Sequence, residues 1–577
     1  MTRWKAFIVT TVLLGFCPTL FAQPTVQELQ KDVEELRRSL REQREAFEAR
    51  IKELEGEVQE TLGIELEKQI DEIVANKSMF YARPASGARE PQYLFNSLKG
   101  GLIFSGLFRT RFEYRRANID FNGGSGGIDD EGVRFNGRFR LGFGAVLLES
   151  QGGSKTDPQI SVLTEFQSVG DFANNSYANI PGPGGAPLPT QFNILTEPFE
   201  DVELYLGYLY FERILGEHIS FKLGRQEITF GSEFLMGNNS FFDGTVHDGA
   251  LVEWKEEGLE VSLFYAKEAA SDKNLVTGIS DFDEDELAGV YVSWTAREDL
   301  TLEGYVLYFN ARSVDTDLFV TGSNAFFLDG AMNPAILGSF WTFGARVFWT
   351  DIDFLGGKLA LNAEAAYQTG NRNLHSPPSS VADQSIHGWG AEFIANWWMF
   401  GEEAEGLLPI LTLAYYYAGG GSANDVDATG RPLTHIGFQP LFVNRHFDVR
   451  DRLDRTQPYF PGGGRYGNMD IIPLSNVHLA KVALTIGPSE KTEVGVGYIL
   501  AVTADDEGYG TGIYGHEVDL FGTYQYNDYV QFSASLSVFF PEDTATDLSN
   551  LLFFAPGEED AGDDPALAFY IQALISF

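Results

Sequence analysis

The amino-acid sequence predicts an all-β transmembrane fold: an antiparallel outer-membrane β-barrel of about 18 strands, preceded by an N-terminal α-helical coiled coil. Three observations predict it. From Gly101 onward, apolar and polar side chains alternate along short segments. The connections between these segments alternate long and short. The final segment, 565–577, keeps the alternation up to the aromatic Phe577.

Composition narrows the class first. A chain of 577 residues has room for several soluble domains, yet it carries 62 Gly and 14% aromatic residues. Beyond the first two dozen residues there is no apolar run long enough for a transmembrane helix. The net charge of -41 excludes nucleic acid as a partner, because a basic footprint is missing. The single Cys is Cys17, inside the leader, so the mature chain depends on no thiol chemistry.

Residues 1–22 read as a secretory signal: Arg3 and Lys5 open it, Phe7 to Phe16 form its apolar core, and Ala22 ends it. Lipidation at Cys17 is disfavoured by the bulk of Phe16. Residues 23–76 read as helix. Leu29, Val33, Leu36, Leu40, Phe47, Ile51, Leu54, Val58 and Leu62 form a narrow heptad-like stripe with slips near Gln43 and Phe47. Such a stripe buries itself against another helix. It predicts a periplasmic coiled coil joining protomers, as a homotrimer, through residues 25–75; the alternative is an amphipathic helix lying on the barrel mouth. Residues 77–100, with Pro84, Gly87 and Pro91, form a linker, and 101–577 the barrel.

Period two is clear at the barrel's start. Phe108, Thr110, Phe112 and Tyr114 point one way, and Arg109, Arg111, Glu113 and Arg115 the other. A strand needs this when one face meets lipid and the other a wet lumen. Strands in lipid leave no edge unpaired, so the sheet must close. The segments lie near 101–117, 131–148, 158–170, 201–214, 217–230, 247–256, 258–268, 285–296, 299–312, 338–351, 358–370, 386–399, 407–419, 476–487, 490–503, 514–526, 528–541 and 565–577. A soluble sandwich would not keep the loop alternation over nine hairpins, and a β-helix would show a short repeat. The ending at Phe577 resembles the C-terminal signal of bacterial outer-membrane proteins, and Trp397, Trp398 and Tyr415 to Tyr417 suit interfacial girdles.

A barrel this wide should enclose a channel whose lumen charge sets selectivity. Arg109, Arg111 and Arg115 share the polar face of the first strand; Arg134, Arg138 and Arg140 share a face of the second. Together they predict one inward basic patch suited to a carboxylated or phosphorylated solute, since guanidinium pairs such groups through a two-point fork. The alternative is that they pair with wall acids such as Glu113 and Glu165. The longest connection, 419–476, is net positive over 431–465: Arg431, Arg445, Arg450, Arg452, Arg455 and Arg465 outnumber Asp448, Asp451 and Asp454. It is expected to fold over or into the pore as a basic constriction, the alternative being an external loop with solvated charge. The candidate pore-lining residues are therefore Arg109, Arg111, Arg115, Arg134, Arg138, Arg140, Arg445, Arg450, Arg452, Arg455 and Arg465.

Other loops are acidic: Asp281 to Glu286, Asp425 to Asp427, and Glu558 to Asp564. Their carboxylates are of the kind that holds Ca²⁺, or they keep the outer face hydrophilic. The eight His are scattered, and no nucleophile–His–carboxylate grouping, His metal motif or phosphate-binding loop stands out. The sequence points to no enzyme and no other cofactor.

Three stretches resemble the alginate export family of outer-membrane channels. One is Leu223-Gly-Arg-Gln-Glu-Ile228 with Gly231, Phe242-Asp243-Gly244 and Asp248-Gly249. Another is Phe438-Gln-Pro-Leu-Phe442 with Tyr466-Gly-Asn-Met-Asp470 and Asn476. The third is His516-Glu-Val-Asp-Leu520 with Phe539-Phe540-Pro541. The resemblance implies an eighteen-stranded barrel with an electropositive lumen that passes a polyuronate outward; the alternative is a diffusion porin for small anions or nutrients, as a trimer. Two features depart from it: Pro461-Gly-Gly-Gly464 extends the second stretch, and the coiled coil resembles the trimerising helices of anion-selective porins.

Overall fold

The computed structural model describes residues 93–96, 102–116, 132–149, 159–171, 202–213, 218–238, 244–268, 286–311, 336–374, 384–399, 409–419, 435–441, 443–446, 459, 464–469, 471–472, 474–489, 491–505, 512–527, 529–547 and 562–576. The leader, the coiled coil, most of the linker, Phe577 and the acidic runs 281–285, 425–427 and 558–561 lie outside the described residues.

The strands in chain order are β1 Tyr93–Asn96, β2 Leu102–Arg116, β3 Gly132–Glu149, β4 Gln159–Asp171, β5 Glu203–Glu212, β6 Ile219–Gln226 and β7 His247–Glu256. They continue as β8 Leu259–Glu268, β9 Glu286–Arg297, β10 Leu300–Ala311, β11 Ile336–Phe354, β12 Gly357–Leu374, β13 Gln384–Trp398 and β14 Ile410–Ala418. The last are β15 His435–Ile436, β16 Val477–Ser489, β17 Thr492–Thr503, β18 Ile513–Gln525, β19 Val530–Pro541 and β20 Ala566–Ser576. β1 lies along β2, and β15 pairs in parallel with β13. The other eighteen pair antiparallel with their neighbours, β14 passing directly to β16. β20 returns to β2 in a register running from Leu107 opposite Ser576 to Arg116 opposite Leu567. The sheet is closed, so every stave has two partners and no edge faces lipid. No described helix is long and apolar enough to cross a membrane; the strands cross it.

Each predicted segment corresponds to one stave, with bounds moved by a few residues. Tight two-residue turns join β7 to β8, β9 to β10 and β11 to β12 at one rim. At Glu257-Gly258 both residues have positive φ, 42° and 84°, as a two-residue type I′ hairpin requires. The segment expected over 217–230 is a correction: β6 ends at Gln226, because the chain leaves the wall there and turns inward, burying Phe230, Phe234, Leu235 and Met236.

The wall is inverted relative to a soluble protein. Trp341, Phe393 and Leu520 are 47%, 43% and 51% exposed, while Thr342, Glu392 and Asp519 beside them are nearly fully buried. Apolar area on the outside would lose about 25 cal/mol per Å² in water, a loss that lipid removes. The core is therefore inside the barrel. It joins Ile228 to Met236, Phe438 to Val443 and Tyr466 to Leu474 to the inward side chains of the wall.

Candidate functional site

Among the described residues, the connection between β6 and β7 and the one between β14 and β16 enter the lumen. In the first, Phe230 stacks on Tyr291 of β9 at 4.5 Å, and the Ser232 hydroxyl donates to Glu364 of β12 at 2.8 Å. Phe234 then packs against Tyr416 of β14 and against Phe438 of the second insert. The second insert is clamped by side-chain amides. Gln368 and Gln439 exchange two hydrogen bonds of 2.8 and 2.7 Å, and Asn396 and Tyr459 exchange two of 3.0 and 2.9 Å. It ends near the opposite wall, where the Met469 carbonyl accepts from Arg115 of β2 at 2.8 Å. Neutral amide pairs satisfy buried backbone without placing a charge there.

The wall of β10–β13 is acidic. Glu303, Glu364 and Glu392 are buried on three staves. Arg346 of β11 meets Glu303 at 2.7 Å and approaches Glu364 at 4.0 Å. Tyr291 and Tyr305 hydroxyls donate to Glu303 and Glu364 at 2.6 and 2.8 Å. Glu392 takes Arg465, which arrives from the second insert: Nε donates to Oε1 at 2.7 Å and Nη2 reaches Oε2, a two-point fork. The same guanidinium donates to the Ser232 carbonyl and hydroxyl, so one side chain ties wall and both inserts together. Burial alone would lower the Arg465 pKa; Glu392 outweighs it and raises it.

The wall of β2–β4 is basic. Arg109, Arg111, Arg138 and Arg140 are all buried on the inward face. Arg109 stands directly opposite Arg138 across the β2–β3 ladder. Arg111 donates twice to Gln572 of β20, at 3.0 and 2.8 Å. Arg140 donates to Gln167 at 2.5 Å, lies 3.7 Å from Glu165 and covers the Tyr205 ring at 3.6 Å. Arg115 pairs with Glu113 on its own strand. Arg134 lies in β3 opposite Glu113. The described inward side chains of β2–β4 thus include five guanidiniums against Glu113 and Glu165.

The structure brings the first-hairpin arginines together and places Arg465 across the lumen from them, in the acidic wall. Arg445 donates to the Ile472 carbonyl inside the second insert. Arg450, Arg452 and Arg455 lie outside the described residues. Sequence reading missed Glu303, Glu364, Glu392, Arg346 and Ser232. Each acid is a lone charge at an inward position, a weak signal on one strand that becomes a site only when staves are adjacent.

A family model described as alginate export matches residues 193–549, more than half of the chain. The chain belongs to the alginate export family. This family member is a channel of the bacterial outer membrane. Its three motif stretches meet in the lumen and at its rim. Arg225 and Asp248 face each other across the base of the first insert with bonds of 2.9 and 2.7 Å. Gly231 has φ +59°, and a Cβ there would lie 2.6 Å from the Tyr291 hydroxyl, so only glycine fits. The second and third stretches join where the Asn468 and Met469 N–H groups donate to Glu517 at 2.6 and 3.1 Å.

Among solved structures, the chain is similar to the outer membrane protein OprD from Pseudomonas aeruginosa, with 11% identity, 85% of this chain and 96% of that chain covered, and a TM-score of 0.47. It is also similar to Acinetobacter baumannii OccAB4, with 9% identity, 84% and 100% covered, and a TM-score of 0.49. Pseudomonas aeruginosa OccK5 (OpdH) gives 11% identity, 83% and 98% covered, and a TM-score of 0.46. No curated protein matches the chain.

Proposed function

We propose that this channel passes an anionic polysaccharide, alginate or a related polyuronate, along a basic lumen face. Arg109, Arg111, Arg115, Arg134, Arg138 and Arg140 supply the wall of that face, and Arg445, Arg450, Arg452, Arg455 and Arg465 the insert. The observation that carries the reading is the opposition of Arg109 and Arg138, buried and flanked by Arg111 and Arg140. Like charges directly opposite destabilise a sheet, and an anion held between them would offset that cost. The family to which the chain belongs supports a uronate as that anion. The reading assigns transport and no catalytic step.

The two inserts crossing the lumen favour a second reading, a diffusion porin for small anions or nutrients. Planar-bilayer current separates the two. Block by uronate oligomers, with neutral oligosaccharides of equal length inert, is expected for the polymer channel. Anion current that uronate oligomers leave untouched would leave only the second reading. We further propose that residues 25–75 join three chains. Their deletion is expected to turn a trimer into a monomer by native mass, and a monomer in both forms would remove the proposal.

A further inference from the structure

We propose that the rim bearing the long connections binds the phosphate groups of outer-leaflet glycolipid through His387, His478 and His516. These residues lie on the lipid-facing side of the wall, apart from the lumen. On the same faces of the same staves, Trp389, Val482 and Leu520 are 59%, 48% and 51% exposed. His387 is the fourth residue of β13, His478 the second of β16 and His516 the fourth of β18. All three therefore sit at the strand ends where the connections 375–383, 419–476 and 504–512 arrive, the external rim of an outer-membrane barrel.

Each imidazole is held in the same way. The Tyr367 hydroxyl lies 3.3 Å from Nδ1 of His387, that of Tyr415 2.6 Å from His478, and that of Tyr498 2.6 Å from His516. The register repeats as well. Thr369, Tyr417 and Leu500 stand opposite the three histidines, and each tyrosine lies two residues deeper on that neighbouring strand. The Thr369 hydroxyl adds a second contact to His387 at 3.3 Å, and the Tyr417 ring packs on His478 at 4.9 Å. The arrangement spans the consecutive staves β12, β13, β14, β16, β17 and β18.

Where the tyrosine O–H donates to Nδ1, the neutral imidazole carries its own N–H at Nε2. An aromatic girdle needs rings with polar tips but no such orientation. The opposite rim shows the plain version: Trp349 donates to Asp299, and Trp397 to the Phe354 carbonyl. The three described Tyr–His pairs all belong to the external rim. N–H donors fixed at headgroup depth match phosphate oxygens, which accept charge-assisted bonds. Glu542 lies 3.5 Å from Nε2 of His516 and shares that donor.

The test is lipid retention by the full-length protein in detergent, read by native mass spectrometry. The probes are bisphosphorylated lipid A and the same lipid with its phosphates removed. The wild type is expected to retain the phosphorylated lipid about tenfold better, the scale of one charge-assisted hydrogen bond. His387→Phe with His478→Phe and His516→Phe should bring it down to the level of the stripped lipid. Tyr367→Phe with Tyr415→Phe and Tyr498→Phe, which keeps the imidazoles and frees their orientation, should fall between. Heat-modifiable gel mobility checks folding of both variants. Equal retention of the two lipids by the wild type, or undiminished retention by either folded variant, would overturn the proposal.

Discussion

On β10–β13 the buried Glu303, Glu364 and Glu392 meet Arg346 and the inserted Arg465; on β2–β4 the buried Arg109, Arg111, Arg138 and Arg140 meet Glu165 and the neutral amides Gln167 and Gln572. The first wall is closed by ion pairs and tyrosine hydroxyls. In the second, guanidiniums outnumber carboxylates among the described inward side chains of β2–β4. A buried pair adds little net stability over apolar packing, yet breaking one partner is severe. The acidic wall therefore reads as anchorage for the inserts. The basic wall is the face we propose for the transported anion.

The largest effect is expected from breaking the anchored side. Glu392→Ala leaves the Arg465 guanidinium buried without its carboxylate, at a cost of about 3–5 kcal/mol. The unfolding midpoint followed by heat-modifiable mobility should drop clearly. A double Glu392→Met and Arg465→Met variant should recover much of that loss, and no recovery would make the pair itself the source of stability. Arg109→Ala, Arg111→Ala, Arg138→Ala and Arg140→Ala combined should do the reverse: ion preference changes strongly and the midpoint less than with Glu392→Ala. A midpoint loss as large as that of Glu392→Ala would make the basic wall structural too.

Two smaller effects sharpen the contrast. Ser232→Ala removes the hydroxyl linking Glu364 to Arg465 and should cost about 1 kcal/mol in the same assay. Arg225→Ala breaks a partly exposed pair with Asp248 and should cost about 0.2–1 kcal/mol. If Arg225→Ala exceeds Ser232→Ala, the rim pair rather than the lumen network holds the first insert.

The staves were legible because lipid on one side and water on the other impose period two on every one of them, as at Phe108 to Arg115. Closure followed from the same physics, and β20 does pair with β2. That the first-hairpin arginines are neighbours was legible because they lie on two consecutive strands, β2 and β3. The acidic wall was not: Glu303, Glu364 and Glu392 are far apart in sequence, and only the barrel makes them neighbours. The first insert was missed for a related reason. Its entry point, Glu227 to Phe230, continues the strand-like pattern of β6, and the sign of an inward turn was the apolar cluster Phe234, Leu235 and Met236 in a supposed external connection.

We propose that the β2–β3 arginines attract the transported anion. The zero-current potential across a salt gradient, for the wild type and the variant lacking Arg109, Arg111, Arg138 and Arg140, tests it most directly. An anion-selective wild type and a variant whose potential moves most of the way to zero are expected. A cation-selective wild type, or the same potential in both, would contradict it.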